Sequence, residues 1–348
     1  MTKIIQIVTQ LEPGGAQRVA LDLSDYFYEE KKEILTVFLY RKRQAFENHR
    51  NLIVLFPNNP HGLGYIVILI RLFNLIRKEA PDVVISHTHY ANIVAQIISW
   101  MRGIKKRIAV HHNSPKTFPR IARLADRFLG NSGIYTNIVA VADHVKADFS
   151  KYDSRYYNKI IVILNGTSFG DSTSQNITNR VAQVKLIVVG RLADQKNHMF
   201  LLDIIRHLPA LSLYIIGEGE LREVLESRIK ELELESRVFL VGEIERNSIS
   251  EYMQDSIFLF PSKFEAMPLA VLEAMKAGLY IIASDIPASR ELLADTGILL
   301  PLDEIRWVKA IEFALKSPIE QERLGKNAMD RASLFTLGRM GEEYAKII

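Results

Sequence analysis

Apolar residues in the first half of the chain fall in short unbroken runs rather than in alternation with polar ones. Lys3 to Thr9, Ile34 to Tyr40, Leu52 to Phe56, Asp82 to Ser86, Arg107 to His111, Asn137 to Ala142 and Lys159 to Leu164 each read as a strand buried on both faces. Helical spacing fills the intervals at 16–29, 62–79, 89–101, 118–130 and 143–151. Strands alternating with helices predict an α/β fold whose parallel sheet is covered on both faces and binds ligands at the carboxyl ends of its strands. After the polar stretch Asn165 to Gln183, which reads as a linker, the alternation resumes. Its strands are Lys185 to Val189, Leu213 to Ile216, Val238 to Val241, Ile257 to Phe260, Tyr280 to Ala283 and Ile298 to Leu300. Its helices are Met199 to His207, Pro268 to Ala277, Pro287 to Leu293 and two more at the end of the chain.

At 348 residues the chain is long enough for two such domains, and a hydrophobic fraction of 48% with 24% charged residues is that of an ordinary globular protein. There is no Cys, so disulfides, thiolate metal sites and a Cys nucleophile are excluded. The apolar run Ile4 to Val8 is too short for the core of a signal peptide, so a cytoplasmic location is expected. The net charge of +4 hides an asymmetry: residues 1–180 hold 24 Lys and Arg against 14 Asp and Glu, whereas 181–348 hold 20 against 26. A basic half meeting an acidic half supports two domains with different partners. Leu63 to Lys78 is strongly apolar, but it is shorter than the roughly 20 residues of a membrane span and is interrupted by Arg71. It reads as a core helix. The alternative is an interfacial helix aided by Arg71, Arg77 and Lys78, with Arg102, Lys105, Lys106, Arg107, Arg120, Arg123 and Arg127 adding basic surface nearby. Each cation close to anionic lipid contributes about 1 kcal/mol, so a peripheral position on the cytoplasmic face of a membrane is the expectation, and nucleic acid is not.

Three places carry candidate chemistry. The stretch from Phe260 through Glu265 to Met275 combines a strand, a tight loop and a helix entered at Pro268. The first-turn amides of that helix, backed by its dipole, form an anion site beside Glu265. Glu265 is then placed to accept hydrogen bonds from hydroxyls next to a bound phosphate, and Glu273 to hold a second pair of hydroxyls on the same ligand. Hydroxyls beside phosphates describe a sugar nucleotide. Upstream, Arg191 and Lys196 flank a loop between strand and helix, and a guanidinium with an ammonium suits a diphosphate. In the first domain, Gly14 and Gly15 stand between a strand and a helix, where a backbone can approach a phosphate. His111 and His112 end one strand there, and His87 and His89 end another, where they could line an acceptor site. A merely hydrogen-bonded role fits His111 equally well. The His87 and His89 spacing permits a metal, but no third ligand is evident and none is expected.

Together the Phe260–Met275 stretch and the Lys185–Lys196 segment resemble retaining glycosyltransferases of family 4, which have the GT-B fold and an E-x7-E signature. The resemblance runs from Gln6 to near the C-terminus. It implies two Rossmann-like parallel-sheet domains facing each other across a cleft. Residues 1–165, with a final helix at about 335–348 crossing back, would bind the acceptor; 166–183 would be the linker; 184–334 would bind the nucleotide-sugar donor. It assigns Glu265, Arg191, Lys196 and the strand-end His112 to catalysis. Gly14, Gly15, Ala266, Met267, Pro268, Leu269, Glu273, Gly217 and Val241 would bind the donor, with His87, His89 and His111 on the acceptor side. The chain departs from the family at Ala266, where Gly is usual, and after Asn165-Gly166, where Thr167-Ser168 replaces the segment bearing an Asp.

The activity so implied is transfer, with retention, of a sugar from a nucleoside-diphosphate sugar, UDP favoured, to an acceptor hydroxyl. The preferred acceptor is a lipid-linked oligosaccharide, polysaccharide or glycolipid of bacterial envelope synthesis. No Asp-x-Asp occurs and no cofactor or metal is expected. Two Glu on one loop and helix do not suit a hydrolase, whose carboxylates flank the bond. A degenerate nucleotide- or lipid-binding subunit and a sugar-nucleotide epimerase are the alternatives.

Overall fold

The computed structural model describes residues 2–46, 49–169 and 184–348. The chain divides into two compact units, Met1–Thr167 with Thr336–Ile348, and Ser168–Phe335.

The first unit runs β1 (Lys3–Leu11), α1 (Gly15–Glu29), β2 (Glu33–Arg41), β3 (Leu52–Val54), α2 (Gly64–Glu79), β4 (Val83–His87), α3 (His89–Met101) and β5 (Lys106–His111). It continues through α4 (Arg120–Ser132), β6 (Asn137–Ala140), α5 (Asp143–Asp148), α6 (Ser154–Tyr157) and β7 (Ile160–Val162). All strands pair in parallel in the order β3-β2-β1-β4-β5-β6-β7. The order reverses between β1 and β4, which opens a crevice at their carboxyl ends. Side-chain alternation along the strands sorts the two faces. Ile5 and Ile7 pack under Ile68, Leu72 and Ile76 of α2 and Ala91, Ala95 and Ile98 of α3, whereas Val8 and Phe38 pack with Ala20 and Leu21 of α1. The apolar stretch Leu63 to Lys78 is therefore only in part a core helix: one stripe is buried, while Leu63, Tyr65, Ile66, Leu69 and Ile70 are exposed. The Arg71 guanidinium donates to the Leu55 carbonyl while the residue stays exposed.

The second unit runs β8 (Lys185–Val189), α7 (His198–Arg206), β9 (Leu213–Ile216), α8 (Arg222–Glu231), β10 (Val238–Gly242), α9 (Arg246–Met253), β11 (Ser256–Phe260) and α10 (Leu269–Lys276). It ends with β12 (Tyr280–Ser284), α11 (Pro287–Leu293), β13 (Ile298–Leu300), α12 (Glu304–Lys316) and α13 (Pro318–Ala332). The sheet order is β10-β9-β8-β11-β12-β13, again parallel. Trp307 of α12 is fully buried against this core and its indole donates to the Pro301 carbonyl. Two Rossmann-like α/β units are thus present. Helices α8 and α9, which are mostly polar, escaped the periodicity reading.

The chain ends in three helices rather than two, and the last, α14 (Leu337–Ile347), belongs to the first unit. It lies on α1 because Gly341 has no side chain: a Cβ there would stand 2.3 Å from the Tyr26 ring. The stretch expected to be linker begins inside the same unit. A Cβ on Gly166 would meet the Thr336 carbonyl at 2.0 Å, and Thr167 bridges to Thr336. Residues 170–183 of that stretch lie outside the described residues.

Candidate active site

In the second unit the loops after β8 and β11 are tied together. Leaving β8, the chain passes Gly190 and Arg191, makes one tight turn at Asp194–Lys196 and enters α7 through Asn197 in the left-handed region. The Lys263 amide donates to the Gln195 carbonyl at 2.9 Å, and the Gln195 side chain donates to the Phe264 carbonyl at 2.8 Å. Lys196 completes the tie, its ammonium 2.6 Å from Glu265 Oε1. Both side chains are mostly buried, 20% and 11% exposed, so the pair is far less screened than a surface ion pair. The Lys196 stem runs over Gly190, where a Cβ would lie 3.3 Å from its Cδ, and its ammonium sits 5.6 Å from the centre of the Phe260 ring. Two of the residues expected to be catalytic are thereby brought together across 69 residues of chain. Arg191, half-buried, lies on the same loop.

Directly after Glu265 come buried Ala266 and half-buried Met267, then α10. Pro268 is the N-cap of that helix, not its first residue: its carbonyl takes the amides of Val271 and Leu272 at 3.2 and 3.3 Å. The amides of Leu269 and Ala270 thus lie ahead of the first hydrogen bond of the helix, and the positive end of its dipole is at Glu265. Glu273, about one and a half turns past the N-cap Pro268, is buried on this helix.

Around this loop the ends of β8, β9 and β10 interlock through glycines. Gly217 has φ +138°, and a Cβ there would be 2.1 Å from the Gly190 carbonyl oxygen. Gly219 is similarly closed by the Leu192 carbonyl at 2.3 Å. Their Gly-x-Gly serves backbone packing, and Gly217 also donates to the Gly242 carbonyl at 2.8 Å beside Val241. His198, which sequence reasoning passed over, is 2% exposed with both ring nitrogens unpartnered, and burial followed by the Lys196 charge holds its pKa down to about 4.

The first unit carries a separate pocket of about 190 Å³ over the ends of β1, β4 and β5. Thr9, Tyr40, Thr88, His89, His112 and Phe118 line it, together with His111 at its base. Thr88 is held at φ +75°, a strained setting for a β-branched residue, and its hydroxyl meets that of Thr9 at 2.5 Å. His112 is the end of a relay. Gln6 Nε2 donates to the Ala20 carbonyl at 2.8 Å, which leaves Gln6 Oε1 to accept from His87 Nε2 at 2.9 Å. His87 Nδ1 then carries a lone pair and accepts from His112 Nε2 at 2.9 Å. Neutral His112 is thereby assigned Nδ1 as its acceptor. Burial is the main cause that holds its pKa down to about 3, and the same burial keeps His87 well below its ordinary range.

The other candidates fall differently. His87 is fully buried as the middle of the relay and lines no surface. His111 turns inward, its Nε2 at 2.8 Å from the Tyr156 hydroxyl, which donates to buried Asp126 at 2.6 Å. His89 stacks on Phe118 in the pocket wall. Gly14 caps α1 in extended backbone that any residue adopts, and a Cβ on Gly15 would meet nothing within 4 Å. Gln6, Thr9, Tyr40 and Thr88 were missed; the available signal was the clustering of polar residues at strand ends. Among the described residues no group of three or more His, Asp or Glu could hold a metal ion.

The profile of the family described as Glycosyltransferase Family 4 matches residues 13–169, and that of Glycosyl transferases group 1 matches 171–331. The amylovoran biosynthesis glycosyltransferase AmsD of Erwinia amylovora is 27% identical over 326 residues, 90% of this chain and 89% of that one. The UDP-Gal:alpha-D-GlcNAc-diphosphoundecaprenol alpha-1,3-galactosyltransferase of Escherichia coli is 27% identical over 260 residues, 68% and 67% of the two chains. Among solved structures, Anabaena Alr3699/HepE in complex with UDP and glucose superimposes with a TM-score of 0.85 at 19% identity, covering 99% of this chain and 98% of that one. With one profile on each sheet and the paired Lys196 and Glu265 inside the second, the chain belongs to the family 4 glycosyltransferases of GT-B fold.

Proposed function

We propose that the protein transfers a sugar, with retention of anomeric configuration, from a UDP-sugar to a hydroxyl of a lipid-linked glycan in the synthesis of a bacterial surface polysaccharide. The observation that carries this reading is the Lys196–Glu265 pair at the N-terminus of α10, with Glu273 eight residues on. The diphosphate gains negative charge as the bond to the sugar breaks. Lys196, Arg191 and the amides that open α10 stabilise it, as preorganised donors must to favour the transition state over the ground state. Glu265, freed from part of its tie to Lys196 when phosphate arrives, accepts from the sugar hydroxyls. Glu273 holds the ribose. On the first unit, the Nδ1 lone pair of His112 accepts from a substrate hydroxyl in the pocket. Charge neutralisation by these side chains makes a metal unnecessary in this scheme, so chelation by EDTA leaves the rate unchanged.

UDP and a lipid-diphosphate acceptor are supported by the names of relatives: the Escherichia coli galactosyltransferase uses UDP-Gal and a diphosphoundecaprenol acceptor, and HepE was crystallised with UDP. A position at a membrane surface is supported by α4. Its buried side holds Ala122, Asp126, Leu129 and Gly130, with Gly130 flat on Tyr156. Away from that side, Ile121, Leu124 and Phe128, spaced three and four apart, are 82%, 67% and 68% exposed. Arg120, Arg123 and Arg127 form the neighbouring stripe. An exposed apolar stripe bordered by Arg is what an interfacial helix presents to anionic lipid. Among the described residues no helix is long and apolar enough to cross a membrane.

The test is thermal unfolding of wild type and Glu273→Ala with UDP, GDP, ADP and NAD. A ligand specific to the folded state adds about 2.7 kcal/mol at a hundredfold excess over its dissociation constant. A shift with UDP that is lost in the variant supports the donor site; no shift with any nucleotide removes it.

A further inference from the structure

Helix α3 is capped by a residue of another strand, and this leaves a hydroxyl for the pocket over the ends of β1, β4 and β5. Thr88 holds the N-cap position, where a Thr side chain ordinarily accepts the amide two or three residues on. Here it caps nothing. The amide of Ala91, third residue of the helix, donates instead to Thr9 Oγ1 of β1 at 3.2 Å. Thr9 is 7% exposed, and its hydroxyl lies 2.5 Å from that of Thr88. Two hydroxyls bring two hydrogens, of which one is spent between them. If Thr88 were the donor, the buried Thr9 hydrogen would be left with no acceptor among the described residues, so the pair is assigned with Thr9 donating and Thr88 accepting. The Thr88 hydrogen is then left for the pocket. The backbone agrees. Thr88 has φ +75° and ψ +149°, a region that is essentially glycine's and that costs any other residue free energy. A glycine would open α3 there without strain. The helix itself therefore gives no reason for a side chain at this position, whereas a hydroxyl delivered to the pocket does.

Two hydrogen-bonded chains thus end in one pocket of about 190 Å³ with opposite polarity. Ala91–Thr9–Thr88 ends in a donor, and Gln6–His87–His112 ends in the Nδ1 lone pair of a side chain that is 9% exposed. The Tyr40 phenol spends its hydrogen on Gln10 Oε1 at 2.7 Å and presents lone pairs only. One wall is aromatic: His89 stacks on Phe118 with ring centres 5.1 Å apart, and Tyr90, 49% exposed, leans on His89 at 4.2 Å. Among the described residues that line the pocket none is Asp, Glu, Lys or Arg. A donor, lone pairs and an aromatic wall suit the hydroxyls and the C–H face of a neutral pyranose. A carboxylate has no hydrogen for His112, and a deoxy position has nothing for Thr88. We propose that Thr88 determines acceptor specificity by donating its hydroxyl hydrogen to a ring hydroxyl of a neutral acceptor sugar. The inference rests on the glycosyl-transfer reading and adds to it the residue that selects the acceptor sugar and the feature that it reads.

The experiment uses the whole chain saturated with UDP. Saturation-transfer NMR measures binding of the methyl α-pyranosides of glucose, galactose and N-acetylglucosamine, and of the monodeoxy analogues of whichever binds. At least one should bind at about millimolar concentration. Thr88→Gly should weaken it about tenfold, the loss of one hydrogen bond whose partner stays unpaired, and Thr88→Ser should remain within about threefold of wild type. One deoxy analogue should lose a similar factor on wild type and nothing further on Thr88→Gly, because the two changes remove the same contact. The melting temperature of Thr88→Gly should equal or exceed that of wild type, since the strain is gone. Failure of all three pyranosides to bind overturns the assignment. So does wild-type affinity in Thr88→Gly, or a Thr88→Ser as weak as Thr88→Gly. A Thr88→Gly that loses both affinity and several degrees of melting temperature makes Thr88 a structural residue and overturns it too. The donor reading fails separately, by absence of a UDP-induced melting shift. A chain with that shift and undiminished sugar binding in Thr88→Gly keeps its donor site and loses this residue's role. A chain with the expected sugar binding and no UDP shift keeps a sugar pocket and loses its assignment to an acceptor.

Discussion

The ammonium of Lys196 lies 2.6 Å from Glu265 Oε1, closing the loop after β8 onto the loop after β11. An ion pair at the mouth of an anion site does two things. It holds the lysine stem across Gly190, and it keeps the carboxylate from repelling an incoming diphosphate. The two residues therefore act as a unit. Lys196→Gln and Glu265→Gln are each expected to lower kcat about a hundredfold or more, the usual loss when one donor to developing charge is removed. The double variant should be little worse than either single, because members of one unit are not additive. UDP release from a UDP-sugar in single-turnover conditions measures all three; additive losses would mean independent roles.

Gly217 and Gly15 separate a structural glycine from one with open space. Gly217→Ala combines φ +138° with a Cβ 2.1 Å from the Gly190 carbonyl, so it should cost about 2–4 kcal/mol of stability in the second unit. At Gly15 a Cβ meets nothing within 4 Å. Gly15→Ala should leave the melting temperature within a degree or two of wild type, as surface changes do. Paired melting curves decide: a stable Gly217→Ala would show that the three strand ends can open without penalty.

The buried histidines set a pH limit. His112 titrates at about 3 and His198 at about 4 in the folded chain, both depressed from the ordinary 6.5, with burial the first cause in each case. A depressed pKa means that the unfolded state takes up the proton first as pH falls. Their stability is complete above about pH 6.5 and is lost toward pH 4, with a slope of about 1.4 kcal/mol per pH unit for each histidine. Melting temperatures measured from pH 7.5 to 4.5 should therefore fall in that window, and His198→Leu should flatten the fall. Since burial keeps His112 neutral, kcat should show no limb from it between pH 6 and 8.

Membrane docking through α4 predicts co-sedimentation with phosphatidylglycerol vesicles that weakens as salt rises, because the Debye length shrinks from about 10 Å at 0.1 M to 3 Å at 1 M. Replacing Ile121, Leu124 and Phe128 together by Ser should abolish it while leaving the UDP-induced melting shift intact, since all three project away from the core. Equal binding by that variant would move the docking surface elsewhere.

How far the molecule could be read in advance depended on the element. Strands such as Tyr280–Ser284 and Ser256–Phe260 are buried at every position, and an unbroken apolar run announces that. Helix α8 gives no such signal, because only Leu225 and Ile229 of its ten residues are buried. Lys196 and Glu265 were legible because each sits at a strand-to-helix turn, where backbone amides gather. The Gln6–His87–His112 relay was not, since its members come from two strands and the residue just past a third.

By itself the sequence determined the two parallel-sheet units, the residues at their strand ends and the charge each half carries, because burial, periodicity and turn chemistry are local properties. Tertiary structure decided which of those residues meet. It turned His111 inward to Tyr156 and His112 toward the pocket, although the two are adjacent, because successive side chains at a strand end face opposite sides of the sheet. It made Gly341 and Gly166 the seats of the last helix. Such pairings depend on which strands are neighbours, and strand order is fixed only when the whole sheet has formed.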